Sequence, residues 1–155
     1  MRRASIGIDE VASRETLLEA FASAALAKTG RYAVEVFRAN LEERMRDLQS
    51  ELLSGIYQPD PMRAFSIRDP KPRMIHAPSF RDRVVHHALM RHMGPELDKR
   101  LIYHSYACRK EKGTHRAVLR AARNARRGAW VLHLDIAKYF ASIDHDIALA
   151  QDCAT

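Results

Sequence analysis

An amphipathic helix over residues 33–54 is the feature that most restricts what this chain can fold into. Its apolar residues recur every three or four positions, as along one face of an α-helix: Val34, Phe37, Leu41, Met45, Leu48 and Leu52. Gly55 is expected to end the helix. Glu42 and Arg46 can pair on its outer face because they are four residues apart. The pattern predicts a helix-rich fold.

Further elements are predicted before and after this helix in the sequence. Thr16-Leu-Leu-Glu19 has the spacing of a capping box and predicts the start of an earlier helix. Residues 57–62 contain two prolines and indicate an extended linker. Two short runs, 63–68 and 73–76, enclose Asp69-Pro-Lys-Pro72 and predict a hairpin. The prolines are expected to limit strand pairing near its tip.

The second half of the chain combines helices with one strand. Residues 81–93 predict a helix that Gly94-Pro95 breaks, and residues 114–127 predict another that a glycine closes. Residues 131–135 are largely apolar and predict a short central strand, and a further helix is expected to begin at His145. The predicted fold class is therefore α/β in the broad sense, more narrowly α+β.

Composition argues against a membrane-spanning protein. Of the 155 residues, 46% are hydrophobic and 29% are charged, and no apolar run reaches the thickness of a bilayer. No apolar segment typical of a secretory signal follows the N-terminus, so a cytoplasmic location is expected. Cys108 and Cys153 form neither a disulfide framework nor a paired metal-ligand spacing, and Cys108 is interpreted as a buried thiol.

Basic residues are concentrated in the middle of the chain. Residues 61–127 carry 17 basic and 5 acidic side chains, a net charge of +12, whereas residues 1–60 and 128–155 have net charges of −2 and −3. A basic middle followed by an acidic end suggests a polyanion-binding surface beside a carboxylate site. The alternative is an ordinary domain with an uneven surface charge.

Within this region, one predicted helix presents a face of arginines. The residues follow the spacing i, i+4, i+7 and i+11: Arg116, Arg120, Arg123 and Arg127. Because like charges at this spacing repel, an anionic partner such as a phosphate backbone would offset the repulsion. Lys71 and Arg73 at the hairpin turn suit a triphosphate. A solvated basic face and an ordinary turn lysine are the alternatives.

Two carboxylates near the end of the chain have several interpretations. Asp135 ends the apolar run, where a buried charge needs an ion pair, a helix N-terminus or a metal. Asp144 is expected to be an N-cap for the helix that follows. His86 and His87 point to different sides of a helix, so they are interpreted as surface or packing residues and not as a metal pair.

Four blocks, in this order and at these spacings, resemble the conserved blocks of bacterial reverse transcriptases. The similarity is to the branch of diversity-generating retroelements and group II introns. The blocks lie at residues 65–78, 81–89, 105–117 and 134–145. They include Ser-Ile-Arg-Asp-Pro-Lys-Pro-Arg in the first block and Leu-Asp-Ile-Ala-Lys-Tyr-Phe in the last. Each block alone is a modest signal, whereas four in the family's order are a strong one.

The resemblance implies a right-hand polymerase fold. Residues 1–59 would be an N-terminal helical region, 60–127 a fingers-like region and 128–155 the beginning of the palm. It also implies template-directed DNA synthesis from dNTPs on an RNA template with a DNA or RNA primer. Two Mg²⁺ ions would activate the primer 3′-OH and stabilise the pyrophosphate leaving group.

Site residues carry over from the resemblance position by position. Asp135 corresponds to the first of three metal-binding carboxylates, and the Ile136 carbonyl to a further metal ligand. Phe140 resembles the bulky residue that excludes a 2′-OH. Lys71 and Arg73 resemble the cations that bind the dNTP triphosphate. Nucleic-acid-binding residues would be Arg109, Arg116, Arg120, Arg123 and Arg127.

The sequence departs from the family after residue 145. The paired aspartates of a Tyr-x-Asp-Asp turn are missing from residues 136–155, as are the rest of the palm and the thumb. The expectation is a truncated reverse transcriptase that is inactive alone. Two alternatives stay open. The chain is a non-catalytic nucleic-acid-binding module or remnant, or it is a fragment complemented in trans by a missing C-terminal polypeptide.

Overall fold

The computed structural model describes residues 6–128, 130–137 and 139–153, with the backbone alone at 140, 141, 149 and 151–153. The chain divides into two compact units, Ser5–Lys99 and Arg100–Thr155. It is helix-rich and has a two-stranded antiparallel sheet, an α+β arrangement. Among the described residues, no helix is both long and apolar enough to cross a bilayer. The predicted three-region division stays a prediction.

The Ser5–Lys99 unit contains the first seven elements along the chain. Its helices and strands are α1 (Ile8–Val11), α2 (Arg14–Ala25), α3 (Tyr32–Ala39), α4 (Leu41–Ser54), β1 (Arg63–Arg68), β2 (Pro72–Ala77) and α5 (Phe80–Arg100). The elements of the Arg100–Thr155 unit are α6 (Thr114–Ala125), α7 (Tyr139–Ser142) and α8 (His145–Cys153).

Three phenylalanine rings join the helices of the Ser5–Lys99 unit. Phe21 stacks on Phe37 with ring centroids 5.7 Å apart, and Phe80 meets both rings edge-on at 6.0 and 5.3 Å. Apolar side chains of α2 to α5, among them Leu17 and Leu48, pack around these rings. Every described hydrophobic residue that is buried lies between positions 11 and 88. The core therefore belongs to this unit.

The helix predicted to start at Thr16 begins earlier. Its N-cap is Ser13, whose Oγ accepts a hydrogen bond from the Thr16 backbone N–H at 3.2 Å. The Thr16 hydroxyl is engaged in contacts with Ser13 Oγ at 2.9 Å and with His92 Nε2 at 3.1 Å. The predicted capping box was therefore wrong, because Ser13 provides the same chemistry three residues before it.

The helix predicted over residues 33–54 is two helices, and this prediction was wrong about continuity. Asn40 separates α3 from α4 with φ −122° and ψ 40°, outside the helical region. The Asn40 side chain makes no capping hydrogen bond to α4, so the break lies in the backbone conformation of this residue. Gly55 ends α4 with φ 71°, as predicted. Glu42 accepts a hydrogen bond from Arg14 at 2.7 Å.

The hairpin is confirmed. β1 and β2 pair antiparallel, from Arg63 opposite Ala77 to Arg68 opposite Pro72. At the tip the Asp69 N–H donates to the Lys71 carbonyl at 3.3 Å. The pairing runs up to Pro72 at the edge of the turn, so the expected limit on pairing near the tip was wrong, although proline has no N–H to contribute.

α5 continues through Gly94-Pro95 to Arg100, so the predicted break was wrong. Proline at position 95 removes one backbone hydrogen bond, to the carbonyl four residues earlier. Pro95 and Arg91 are both exposed, so water can reach that carbonyl. The energetic cost of the lost hydrogen bond is confined to this turn, and the helix tolerates it.

The predicted central strand over residues 131–135 is not formed. These residues have no regular secondary structure, and Val131, Leu132 and Leu134 are exposed. A strand needs a neighbour to pair with its backbone N–H and C=O groups. The described part of the Arg100–Thr155 unit holds no strand that could do so.

Candidate nucleic-acid interface

α6 carries the predicted basic face. Arg116, Arg120 and Arg123 lie on the helix, and Arg127 follows two residues after its end. Arg116, Arg123 and Arg127 are exposed, and Arg120 is partly buried. No acidic side chain forms a salt bridge with these four arginines within the part of the chain that the structure describes. Their charge is therefore available to an anionic partner.

The other side of α6 is apolar and open. Val118 and Leu119 are 60% and 65% exposed, and Trp130 is 94% exposed. A shallow groove is lined by residues of α6 and of the segment after it: Val118, Ala121, Ala122, Asn124, Ala125, Trp130 and Val131. The helix is thus amphipathic, with a charged face and an apolar face that both reach solvent.

The loop before α6 is held together by two cations. Arg109 donates to the carbonyls of Ile102 and Ser105 at 2.9 and 3.3 Å. Lys112 donates to the Tyr103 carbonyl at 2.6 Å. Arg109 was predicted as a nucleic-acid-binding residue, and the structure gives it contacts that fix this loop.

Two aromatic residues of this loop were missed from the sequence. The Lys112 ammonium lies 3.7 Å from the centroid of the Tyr103 ring, and the His104 ring meets Tyr103 edge-on at 5.0 Å. Arg120 lies 3.4 Å from His104 Nε2, which links the rings to the basic face. The available signal was a short aromatic run directly before a basic one: Tyr103, His104 and Tyr106, then Arg109, Lys110 and Lys112.

Cys108 is exposed, so its interpretation as a buried thiol was wrong. The residue lies in the same loop and has a φ of 54°, in the left-handed region. A turn in the surface loop carries the side chain outward, which the flanking sequence does not encode.

Lys71 and Arg73 both lie on the exposed hairpin of the Ser5–Lys99 unit. Lys71 is in the turn, and Arg73 is on β2 opposite Ile67. Both side chains reach solvent. The hairpin therefore presents two cations, as predicted, and their binding of a triphosphate stays a prediction.

The base of the hairpin is anchored by a buried carboxylate. Asp82, 1% exposed, accepts hydrogen bonds from the Tyr57 hydroxyl at 2.6 Å and the Asp60 N–H at 3.1 Å. Arg81 lies 4.8 Å from the Tyr57 ring centroid and pairs with Glu51. Burial, followed by the hydrogen bond to Asp82 and its negative charge, raises the pKa of Tyr57 well above its ordinary value. Residues 57–60 are therefore tied to α5.

The histidines of α5 are surface and packing residues, as predicted. His86 and His87 are exposed, and His92 is half-buried against Thr16. Partial burial lowers the pKa of His87, and the positive charges of Lys28, His86 and Arg83 lower it further. Among the described residues, no three histidine, cysteine or acidic side chains are grouped so that they could hold a metal.

Asp135 and Ile136 lie in the segment after α6 that has no regular secondary structure, and both are exposed. Phe140 is in α7, and its side chain lies outside the described residues. Asp144 is the N-cap of α8, as predicted, because its Oδ1 accepts from the N–H groups of Asp146 and Ile147 at 3.0 and 3.1 Å. A carboxylate suits Mg²⁺, but Asp135 alone does not make a two-metal site. The described residues therefore do not fit such a site without further ligands.

No known protein-family model matches the chain. The chain is similar to Protein YkfC of Escherichia coli (strain K12), with 31% identity over 121 residues that cover 74% of the chain. The match covers 32% of YkfC, so the chain spans about a third of the length of this curated relative.

Proposed function

We propose that this chain is the N-terminal part of an RNA-directed DNA polymerase of the bacterial reverse transcriptase type and is inactive alone. The observation that carries the proposal is the basic face of α6, which is exposed except at the partly buried Arg120 and has no acidic partner among the described residues. In the same unit, Asp135 follows this helix. Four sequence blocks in the order of the family add support.

The arginine face suits the phosphate backbone of a template and primer. Arginine forks bind phosphate oxygens, and such contacts are independent of base sequence. The spacing of Arg116, Arg120 and Arg123 follows one face of a helix, so the charges can track consecutive phosphates. On this proposal Lys71 and Arg73 bind the triphosphate of the dNTP through the same chemistry.

Asp135 would supply one carboxylate to a Mg²⁺ site of the complete enzyme. The right-hand fold, with the 60–127 region as fingers and the 128–155 region as the start of the palm, is part of the proposal. The other carboxylates would come from further polypeptide. The relative YkfC is long enough to contain such a part, since this chain matches a third of it.

The exposed segment after α6 supports completion by another polypeptide. Val131, Leu132 and Leu134 are 77%, 81% and 78% exposed, and the segment forms no strand. An exposed apolar segment next to an apolar helix face is suited to pairing with a β-strand of another polypeptide. Complementation in trans is therefore our preferred form of the proposal.

Primer extension tests the proposal directly. The purified 155-residue chain should incorporate no dNTP on a primed RNA template with Mg²⁺. Co-expression with the polypeptide encoded immediately downstream should restore incorporation, and Asp135→Asn should abolish it. Asp146→Asn is the matched control, because it removes an exposed carboxylate from the first turn of α8.

Two results would contradict the proposal. Incorporation by the chain alone would refute its inactivity. A complemented complex that binds RNA but extends no primer would favour the second candidate, a non-catalytic nucleic-acid-binding module. The exposed arginine face supports that candidate equally, because it requires no chemistry at Asp135.

A further inference from the structure

The loop before α6 presents an aromatic corner to solvent. The Tyr103 and His104 rings are nearly perpendicular, at 82°, and the Tyr103 side chain is largely in water, with the residue 75% exposed. We infer that this corner is a stacking platform for an unpaired base of a single-stranded nucleic acid. The inference rests on the proposed function and deepens it, since it specifies which form of nucleic acid the basic unit binds.

The platform is held in place before any ligand arrives. Lys112 lies 3.7 Å from the Tyr103 ring centroid and 5.2 Å from that of Tyr106, and it donates to the Tyr103 carbonyl. Arg109 fixes the same turn through the carbonyls of Ile102 and Ser105. Because these contacts order the loop, less conformational entropy is lost when a base stacks on it.

Most of the Tyr103 residue is open to solvent. Lys112 lies 3.7 Å from the ring centroid and the His104 ring stands nearly perpendicular to the Tyr103 ring, yet the residue remains 75% exposed. Every base has a π-face, so stacking on a tyrosine tolerates any sequence. A base inside a duplex is already covered above and below by its neighbours. The geometry therefore selects unpaired nucleotides.

Electrostatics favour nucleic acid over a protein partner. Residues 100–127 carry 9 basic side chains and 1 acidic one. Arg120 reaches from the basic face of α6 to within 3.4 Å of His104 Nε2. Arg120 thus joins the rings to the basic face, and the pair of features combines stacking with phosphate binding as single-strand-binding proteins do. A tyrosine packed as a structural residue would be buried, and Tyr103 is not.

Binding to labelled oligonucleotides, followed by fluorescence anisotropy, tests the platform on the full chain. The probes are a single strand of about 12 uridines, the same strand with abasic sites, and a blunt duplex of equal length. Tyr103→Ala should weaken binding to the uridine strand about tenfold and to the duplex less than about twofold. Tyr103→Phe should retain binding, because it keeps the ring.

Tyr32→Ala is the matched control. Tyr32 is 84% exposed and lies in the Ser5–Lys99 unit, so its loss should leave every affinity unchanged. The abasic strand should bind wild type and Tyr103→Ala equally, because it has nothing to stack. A thymidine strand, as a DNA probe, is expected to depend on Tyr103 as the RNA strand does, since stacking requires only the base.

Several results would overturn the inference. They are unchanged binding of the uridine strand by Tyr103→Ala, an equal loss for strand and duplex, and a loss in Tyr103→Phe as large as in Tyr103→Ala. These outcomes leave the proposed polymerase function standing. Conversely, a Tyr103-dependent preference for single strands together with failed primer extension in the complemented complex would retain the platform and refute the polymerase.

Discussion

Removing the Tyr57 hydroxyl tests the anchor at the base of the hairpin. In Tyr57→Phe the buried Asp82 carboxylate loses the hydrogen bond that it accepts at 2.6 Å and keeps the one from the Asp60 N–H. A hydrogen bond to a charged group contributes about 1.5–3 kcal/mol. Since Tyr57 is only partly buried, we expect a loss near the lower end, about 1.5 kcal/mol at neutral pH.

The same variant tests how the stability of the protein depends on pH. The folded protein raises the pKa of Tyr57 above its ordinary value of 10.0, so the folded state favours the protonated phenol. This contribution is complete below a pH of about 10 and is lost as the pH rises through the folded pKa. Wild type should therefore lose stability above a pH of about 10 more steeply than Tyr57→Phe, and the difference between them should shrink.

Urea denaturation followed by far-ultraviolet circular dichroism measures both effects. Tyr32→Phe is the control, because Tyr32 is 84% exposed and its hydroxyl has water as a partner. Equal stability of Tyr57→Phe and wild type at neutral pH would refute our account of the anchor. So would a difference that stays constant from a pH of about 9 to about 11.

Two further predictions concern a helix end and the basic face. Gly55→Ala should lower the free energy of unfolding by about 1 kcal/mol in the same assay. The cause is backbone strain at φ 71° alone, since an added Cβ meets nothing within 4 Å; a loss below about 0.3 kcal/mol would contradict it. The triple change of Arg116, Arg120 and Arg123 to alanine should reduce the slope of log affinity for RNA against log salt by about 2, measured by anisotropy. The control is a charge-matched triple in the Ser5–Lys99 unit, Arg31, Arg38 and Arg46 to alanine, which should leave the slope unchanged. An equal effect of the control on the slope would disprove the role of α6.

Local chemistry explains which elements could be predicted from the sequence. The hairpin was predicted because turn residues separate two strand-forming runs, and the end of α4 because Gly55 adopts a positive φ. The N-cap role of Asp144 was predicted because a carboxylate directly before a helix can accept hydrogen bonds from the N–H groups of its first turn. In each case the decisive groups lie within a few residues of one another.

Nonlocal contacts explain what the sequence did not reveal. The break at Asn40 is invisible to periodicity, because apolar residues continue at helical spacing on both sides. The role of Asp82 depends on Tyr57, 25 residues away. The strand predicted over residues 131–135 is not formed, because an apolar run becomes a strand only when a partner strand is present.

In the candidate site, too, features set by local spacing could be predicted and features set by distant contacts could not. The arginine face of α6 was predicted from spacing alone, because a helix fixes which residues share a face. Tyr103 and His104 were missed, since their juxtaposition depends on the loop contacts of Arg109 and Lys112. The catalytic role of Asp135 was inferred from resemblance and stays a prediction.

The uneven distribution of the core has a consequence for amide hydrogen exchange. Buried apolar side chains end at Ala88, so the amides of α2, α4 and the first half of α5 exchange only when the Ser5–Lys99 unit opens as a whole. The amides of α6 lack such cover and exchange through local opening. A ligand that lies along α6 would slow exchange there and leave the exchange rates of the other unit unchanged. Exchange would thus map the interface on the polypeptide without any substitution.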